Sequence, residues 1–159
     1  MEIRLAENGD LFSWVQLVEP MRHLFPGLET PESMEGYARD IAGAISRQEA
    51  LCAVENGTIC GVLAFSRAEN ELAFLAVSAQ HRRQGIARKL AERMFRELDP
   101  ARPVKLITYR AGVPEGEAAR SLYQRLGFCP GRLVEVDGSP AQEFLRPAEI
   151  PGSERSEAE

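Results

Sequence analysis

The sequence feature that most restricts the possible folds lies in the middle of the chain, between Glu71 and Leu98. It begins with a continuous apolar run, Leu72–Val77, whose length and composition predict a strand buried on both faces. A short polar loop follows, and from Gly85 onward apolar residues recur with the spacing of an amphipathic helix. This order of strand, loop and helix is common to many proteins that combine a sheet with helices.

The loop and the first turn of this predicted helix are rich in positive charge, carried by Arg82, Arg83, Arg88 and Lys89. A helix N-terminus presents free N–H groups and the positive end of the helix dipole, which together suit it to hold a phosphate group. The same side chains would also suit an ordinary solvated surface. From the charge pattern alone, both interpretations stay open.

Length and charge restrict the remaining possibilities. The 159 residues predict one folded domain, residues 1–147, followed by an acidic and disordered tail at 148–159. The net charge of −5 argues against broad nucleic-acid binding. No apolar run approaches the length of a membrane span, and the N-terminus lacks a basic segment followed by an apolar one. We expect a cytoplasmic monomer or homodimer that binds neither nucleic acid nor membrane.

The cysteines do not suggest a metal centre. Cys52, Cys60 and Cys129 are odd in number and show no Cys-x-x-Cys spacing, so neither a zinc site nor a disulfide framework is expected. All three are interpreted as small buried apolar residues. A two-residue hairpin at Asn56-Gly57 would pair Ala53 with Cys60.

The other elements follow from periodicity, capping residues and turn residues. The first helix should stop near Pro20, and the last hairpin should turn across 137–140. Strands are predicted at 2–6, 50–55, 58–66, 71–77, 104–109, 133–136 and 141–145. Helices are predicted to begin after Asp10, after Thr30, at Gly85 and within 112–114.

Two short motifs resemble those of the GNAT family of N-acetyltransferases. The segment Arg82–Ala87 reads RRQGIA and resembles the family's acetyl-coenzyme A pyrophosphate loop, Gln/Arg-x-x-Gly-x-Gly/Ala. The second, Leu122-Tyr123-x-x-x-Gly127-Phe128, resembles another recurring family motif. The predicted order β-α-α-β-β-β-α-β-α-β-β also matches the GNAT fold through about Arg146. The resemblance implies an α+β three-layer fold, with a mixed and mostly antiparallel sheet of six to seven strands and about four helices.

The resemblance also implies a site and a chemistry. Residues 1–147 would form an acetyltransferase domain with acetyl-CoA as co-substrate and no metal. The loop would surround the pyrophosphate, and backbone groups at the end of the central strand would contact the pantetheine and the thioester oxygen. The cofactor-binding residues implied in this way are Leu75, Ala76, Val77, Arg82, Arg83, Gln84, Gly85, Ile86, Ala87 and Tyr123.

Two residues are candidates for proton chemistry. Tyr123 falls in register with apolar helix residues and would be core on spacing alone, whereas the family motif implies that it donates a hydrogen bond or a proton to the departing thiolate. Glu71, at the start of the central strand, resembles the catalytic Glu of histone-acetylating members and would take a proton from the amine. Alternatively, it is an exposed turn residue and an ordered water is the base.

The chain departs from the family pattern at two positions. Gly116 stands where the second motif often has an Asn that contacts the cofactor, and Ala79 stands where a Pro is frequent. The predicted function is an acetyl-CoA-dependent N-acetyltransferase that works by direct attack of a primary amine in a ternary complex. The acceptor, a small-molecule amine or a protein or peptide amine, stays open. The alternative is a non-catalytic coenzyme A-binding sensor or interaction module of the same fold.

Overall fold

The computed structural model describes residues 1–149, so most of the predicted acidic tail lies outside the described residues. In this part of the chain the strands are Glu2–Leu5 (β1), Ala50–Glu55 (β2), Thr58–Ser66 (β3), Glu71–Val77 (β4), Val104–Thr108 (β5), Cys129–Val136 (β6) and Ser139–Arg146 (β7). The α-helices are Leu11–Val18 (α1), Pro31–Ser46 (α2), Ile86–Glu97 (α3) and Glu117–Arg125 (α4). Short 3-10 turns precede or follow several of them.

The strands form one mixed sheet in the order β1-β2-β3-β4-β5-β7-β6. β4 and β5 are parallel and meet at Glu71 and Lys105, as expected for two strands joined through a helix. The pairs β1–β2, β2–β3, β5–β7 and β6–β7 are antiparallel. The predicted order of strands and helices and the predicted mixed sheet are confirmed.

The chain forms two compact units. The N-terminal unit comprises Met1–Phe65 with Ala73–Met94, and the C-terminal unit comprises Ser66–Leu72 with the described residues from Phe95 to Glu149. In the N-terminal unit, α1 and α2 contribute Trp14, Val18, Ile41 and Ile45 to a core that they share with small strand residues. Those strand residues are Ala50, Cys52, Val62, Ala64 and Ala76.

Helix boundaries in the N-terminal unit follow from local chemistry. Thr30 caps α2 as predicted, because its Oγ1 accepts a hydrogen bond of 3.1 Å from the Ser33 N–H and Pro31 occupies the first helical position. Asp10 precedes α1 but accepts hydrogen bonds from the Arg4 guanidinium, at 2.8 and 3.1 Å, instead of capping the helix. The α1 helix ends at Val18, near Pro20 as predicted, and the chain continues as a 3-10 helix over Glu19–Leu24.

The hairpins show where local signals sufficed. Asn56 and Gly57 both have positive φ, 51° and 77°, as a type I′ turn requires. The expected pairing of Ala53 with Cys60 was wrong, since a β-bulge shifts the register and Ala53 pairs with Gly61. In the last hairpin the turn is also two residues, at 137 and 138, and Pro140 already belongs to β7.

In the C-terminal unit, β5, β7 and α4 surround a second group of buried side chains. They are Val104, Leu106, Tyr123, Leu126, Phe128 and Phe144. Cys52 and Cys60 are buried as predicted, whereas Cys129 is exposed, because β6 forms the edge of the sheet. The expectation that all three cysteines are buried was therefore wrong for Cys129.

Candidate active site

The loop before α3 has the backbone of an open helix N-terminus. Gly85 has φ of +76°, a region that glycine adopts readily, and its carbonyl accepts the first helical hydrogen bond, 3.0 Å from the Lys89 N–H. The amides that precede Lys89 in the first turn therefore lie outside the helical ladder. A Cβ added to Gly85 would meet no heavy atom within 4 Å. The space beside this amide is thus open to an approaching group.

The side chains of the same loop leave its positive charge accessible. Arg82, Arg83, Gln84 and Gly85 are exposed. Arg83 itself has a positive φ of 65°, and an Arg82 Nη2 lies 3.8 Å from the Met21 sulfur. An exposed group of arginines at the positive end of a helix dipole is the arrangement that favours a bound phosphate.

Packing beneath the loop anchors the start of α3. Ile86 is 1% exposed and lies against β3 at Gly61, where an added Cβ would be 2.7 Å from the Ile86 Cγ2 and 3.1 Å from the Leu90 Cδ1. Gly61 is therefore required for the close approach of helix and strand. Sequence reasoning did not single it out, although a glycine inside an apolar strand is a known sign of such an approach.

The turn that joins β4 to the loop is held by hydrogen bonds within the N-terminal unit. The Ser78 N–H donates to the Cys60 carbonyl at 2.9 Å, and the Ser78 hydroxyl lies 2.6 Å from the His81 Nδ1. Ala79 begins a 3-10 turn after an extended Ser78, a conformation that also suits a residue before proline. The backbone before Ala79 would therefore also accommodate a proline at this position.

The end of β4 is less buried than predicted. Ala76 is 5% exposed and belongs to the core of the N-terminal unit, but Leu75 and Val77 are only partly buried and Ala73 is exposed. The expectation of a strand buried on both faces was therefore wrong. An apolar run does not show which of its faces is covered.

Tyr123 lies where α4 ends. The Phe128 N–H donates to the Tyr123 carbonyl at 3.0 Å, and the Gly127 N–H donates to the Gln124 carbonyl at 3.1 Å. With Gly127 at φ of +97°, these bonds form a Schellman motif, and the Tyr123 and Phe128 rings make its hydrophobic contact at 6.1 Å. The spacing Tyr-x-x-x-Gly-Phe thus has a structural cause as well as its resemblance to a family motif.

The Tyr123 ring is buried, and its hydroxyl makes no hydrogen bond within residues 1–149. The side chain is 9% exposed, with the Phe144 ring at 6.4 Å on another side, and burial raises the pKa of Tyr123 to about 12. No residue in the range 1–149 hydrogen-bonds to its hydroxyl, yet no fully buried polar side-chain atom in that range lacks a partner. The hydroxyl is therefore not completely enclosed by the protein, and it is available to donate a hydrogen bond to a bound group.

Glu71 is a half-buried strand residue and not an exposed turn residue. Its backbone lies opposite Lys105 in the parallel register of β4 and β5. The Lys105 ammonium forms a 3.2 Å ion pair with Glu69. Burial raises the pKa of Glu71; Lys105 opposes this shift, and the negative charges of Glu69 and Glu143 add to it. A carboxylate with a raised pKa is a better proton acceptor than an ordinary one, as a general base requires.

Asn70, directly before Glu71, was missed by the sequence reasoning. It is 1% exposed and has a positive φ of 50°. Its side-chain amide donates to the carbonyls of Asp99, Arg102 and Pro103 at 3.2, 3.3 and 3.1 Å, and its Oδ1 accepts from the Asp99 N–H at 2.9 Å. Because Asn70 joins two turns of the C-terminal unit, it fixes the start of β4 where Glu71 lies. The sequence signal that could have identified Asn70 is an Asn in the turn directly before a strand.

The departure at Gly116 has a steric explanation. A Cβ on Gly116 would lie 2.2 Å from the Tyr109 Cβ and 2.4 Å from its Cγ. The Tyr109 side chain therefore occupies the space that any larger residue at Gly116 would need. A glycine at this position therefore allows the start of α4 to pack against Tyr109.

The structure groups the predicted site residues as follows. The N-terminal unit holds the β4 end and the basic loop, which are tied through Ser78, Gly61 and Ile86. The C-terminal unit holds Tyr123 and Glu71, and within residues 1–149 no hydrogen bond joins these two side chains. No group of three or more His, Cys, Asp or Glu in that range could hold a metal ion.

Comparisons with known proteins define the class of protein. The fold resembles that of an N-acetyltransferase from Staphylococcus aureus Mu50, with a TM-score of 0.73 and 16% identity over 91% of this chain and 100% of that one. A PaiA N-acetyltransferase from Thermoplasma acidophilum, in complex with coenzyme A, gives 0.67 and 21% over 92% and 98%. The ribosomal-protein-S18-alanine N-acetyltransferase of Escherichia coli gives 0.67 and 21% over 95% and 96%. At these identities the likeness concerns the fold.

The family follows from the sequence itself. A family profile described as "Acetyltransferase (GNAT) domain" matches residues 46–130, more than half of the chain. The chain therefore belongs to the GNAT acetyltransferase family, whose general reaction is acetyl transfer with acetyl-CoA as co-substrate. No curated protein matches the sequence closely enough to count as a relative. Within residues 1–149, no helix is both long and apolar enough to cross a bilayer.

Proposed function

We propose that this protein is an N-acetyltransferase that transfers the acetyl group of acetyl-CoA to a primary amine by direct attack in a ternary complex. The observation that carries the proposal is the exposed basic loop at the open N-terminus of α3, within the segment that matches the family. Its amides and arginines suit the pyrophosphate of the co-substrate. Cytoplasmic location and a monomeric or homodimeric state are part of the same proposal.

In the proposed site, residues 82–87 bind the pyrophosphate and the backbone at Leu75, Ala76 and Val77 holds the pantetheine and the thioester carbonyl. A backbone N–H directed at the carbonyl oxygen would stabilise the negative charge that develops as the amine nitrogen bonds to the carbonyl carbon. The partial exposure of Leu75 and Val77 supports this role, because a ligand can reach that part of the strand.

Glu71 is the proposed base. An amine such as that of lysine, with a pKa of about 10.4, arrives protonated and must lose a proton before or during attack. The half-buried position of Glu71 and its raised pKa support its role as a proton acceptor. An ordered water bound by Glu71 would serve equally as the immediate acceptor of the proton.

Tyr123 is proposed to donate a hydrogen bond to the sulfur as the carbon–sulfur bond breaks. Complete transfer of its proton to a thiolate of pKa near 8.5 would be uphill by about 5 kcal/mol, given a Tyr123 pKa of about 12. Burial therefore favours a hydrogen bond that strengthens with the charge on sulfur, after which solvent supplies the proton to the thiolate.

The alternative function is that of a coenzyme A-binding sensor or interaction module without turnover. The structure favours it at one point, because Tyr109 fills the space where the family's Asn would contact the cofactor. Both functions require the same acetyl-CoA-binding site, and they differ only in whether the acetyl group is transferred to an amine.

Binding and turnover distinguish these proposals. Calorimetry should show acetyl-CoA binding that weakens about tenfold in Arg83→Gln, since a hydrogen bond to a charged group is lost. Arg39→Gln is the matched control, because Arg39 is exposed on α2 of the same unit. Folded protein that does not bind acetyl-CoA would contradict both functions.

Free-thiol release across a panel of amines then tests catalysis. The panel includes peptides with free N-terminal residues, lysine peptides, polyamines, aminoglycosides and amino acids. Thiol release that depends on one class identifies the acceptor, whereas binding of acetyl-CoA with no release above that in water supports the sensor. Tyr123→Phe should lower kcat for the active amine, and an unchanged kcat would contradict the role proposed for Tyr123.

A further inference from the structure

Arg146, near the end of β7, contacts the C-terminal end of α4. Its Nε–H donates to the Leu126 carbonyl at 3.0 Å, and Leu126 is the C-cap residue of α4. The last carbonyls of a helix have no partner within the helix, and this bond satisfies one of them. Arg146 therefore ties the end of α4 to the sheet.

The remaining contacts hold the guanidinium in place. Its carbon lies 4.0 Å from the centroid of the Phe95 ring, a cation–π distance. The Arg146 Nη1 forms a 3.1 Å ion pair with the Glu149 carboxylate. The Arg146 side chain is only 23% exposed. Three partners on three sides leave this side chain little freedom to move.

Tyr123 lies one turn before the tied carbonyl and shares the same aromatic group. The Phe95 ring is 6.2 Å from the Phe128 ring, which in turn is 6.1 Å from the Tyr123 ring. The Tyr123 hydroxyl has no partner in residues 1–149, so only its backbone and its ring determine where the hydroxyl points. Both of these depend on how the end of α4 is held.

Gly127 allows Arg146 to come this close. A Cβ at Gly127 would lie 3.3 Å from the Arg146 Nε, tighter than most such contacts. The glycine of the Tyr-x-x-x-Gly-Phe motif therefore serves the positive φ of the Schellman turn and also the approach of Arg146.

We propose that Arg146 is a positioning residue for Tyr123, which it directs toward the departing sulfur by binding the C-cap carbonyl of α4. The inference rests on the role of Tyr123 given under the proposed function. Arg146 touches no reacting atom; it acts through the backbone of α4 and through the Phe95 and Phe128 rings.

The test is a comparison of two substitutions of equal length. In Arg146→Gln the side-chain N–H₂ occupies the place of the Arg Nε and can still donate to Leu126, whereas Arg146→Met has the same length and no donor. Thiol release is measured at varied acetyl-CoA, with the most active amine of the panel or with water as the acceptor. We expect Arg146→Met to lower kcat about tenfold with KM for acetyl-CoA changed less than about twofold, and Arg146→Gln to retain most of kcat.

A double-mutant cycle with Tyr123→Phe separates positioning from a general loss of structure. If Arg146 acts through the Tyr123 hydroxyl, Arg146→Met should cost less than about twofold in the Tyr123→Phe background. Arg102→Met is the control, because Arg102 in the same unit donates its hydrogen bonds to the carbonyls of Arg67 and Ala68, which precede β4. Melting curves would establish that each variant is folded at the assay temperature.

Two outcomes overturn the inference while the function stands. One is an equal loss of kcat in Arg146→Met and Arg146→Gln; the other is a tenfold loss from Arg146→Met that persists in the Tyr123→Phe background. If Tyr123→Phe alone leaves kcat unchanged, the role of Tyr123 fails, and this inference fails with it. The single variants therefore distinguish a failure of the role proposed for Tyr123 from a failure of the positioning role proposed for Arg146.

Discussion

Two glycines with positive φ, Gly85 and Gly127, lie at helix ends that differ in how closely other atoms approach the glycine. Gly85 precedes α3 with φ of +76°, and the space beside it contains no heavy atom within 4 Å. Gly127 follows α4 with φ of +97°, and Arg146 fills the space beside it. The first helix end is open and the second is closed.

The difference shows that a glycine motif does not by itself indicate a ligand. At the open end the helical N–H groups face outward beside exposed arginines, so the backbone is available to a phosphate. At the closed end the carbonyls bind Gly127, Phe128 and Arg146, so the backbone is satisfied within the protein. The functional element proposed for the closed end is a side chain, Tyr123, held in place by that satisfied backbone.

The largest effect is expected at the other end of α4, where Gly116 packs against Tyr109. Gly116→Asn should lower the free energy of unfolding by about 3 kcal/mol, because an added Cβ would overlap the Tyr109 side chain. For a protein of this size that is a fall in Tm of roughly 6–12 °C, measured by calorimetry. Gly9→Asn is the control, since a Cβ on Gly9 meets nothing within 4 Å. A Gly116→Asn variant as stable as the parent, with tighter acetyl-CoA binding, would show that the start of α4 is open.

The next effect concerns Glu71, which the packing of the C-terminal unit makes a better proton acceptor. Glu71→Gln should lower kcat/KM for the amine by about 10²-fold at neutral pH, as expected for loss of a general base. In the parent, kcat/KM should rise with pH through the pKa of Glu71, above the usual range for a Glu. That acidic limb should disappear in Glu71→Gln. A limb that persists unchanged would exclude Glu71 as the base.

Stability and a neighbouring variant provide the controls for Glu71. A raised pKa means that the folded state favours the neutral carboxyl, so this contribution to stability is present at low pH and is lost as pH rises through the folded pKa. Glu71→Gln should therefore be as stable as the parent at neutral pH, or slightly more stable. Glu69→Gln should keep the acidic limb and move it to lower pH, because the negative charge of Glu69 helps to raise the pKa of Glu71.

The smallest effect compares the two glycines directly. Gly127→Ala should lower the free energy of unfolding by about 2 kcal/mol, through backbone strain and crowding of Arg146. Gly85→Ala should lower the free energy of unfolding by only about 1 kcal/mol, because backbone strain is its only cost. Its main effect should be weaker binding of acetyl-CoA. Thermal unfolding and calorimetric titration of both variants measure these effects. Equal losses of stability, with acetyl-CoA binding unchanged in Gly85→Ala, would remove the distinction between an open and a closed end.

The order of strands and helices was predictable because local signals determine it. Thr30 and Pro31 start α2, and Asn56-Gly57 turns the first hairpin, at the residues predicted. The bulge that excludes Cys60 from the β2–β3 register was not predictable, because the turn alone predicts a regular ladder. The sequence predicts the last turn at 137–140, because a proline is common in turns, but the turn is only 137–138. Pro140 lies in β7 opposite Glu135.

The candidate site was predictable to different degrees at its two ends. The basic loop was evident from charge and from a family motif that is continuous in sequence. The position of Tyr123 was ambiguous in sequence, since helical spacing indicates core and the motif indicates function; the structure shows a buried ring with a free hydroxyl. The roles of Arg146 and Asn70 were not predictable, because Leu126 and Phe95, which Arg146 contacts, and the hydrogen-bond partners of Asn70 all lie 20 or more residues away in sequence.

The Asn70 side chain has a consequence for the motions of the protein. Asp99 lies outside every helix and strand, yet its N–H is bound by the buried Asn70 Oδ1 at 2.9 Å across 29 residues of sequence. Loop amides usually exchange with solvent deuterium through small local openings. Exchange at the Asp99 amide requires its hydrogen bond to the buried Asn70 to break, so this amide should exchange as slowly as the amides of the neighbouring strands. A single loop proton thereby reports whether the turn directly before Glu71 has opened.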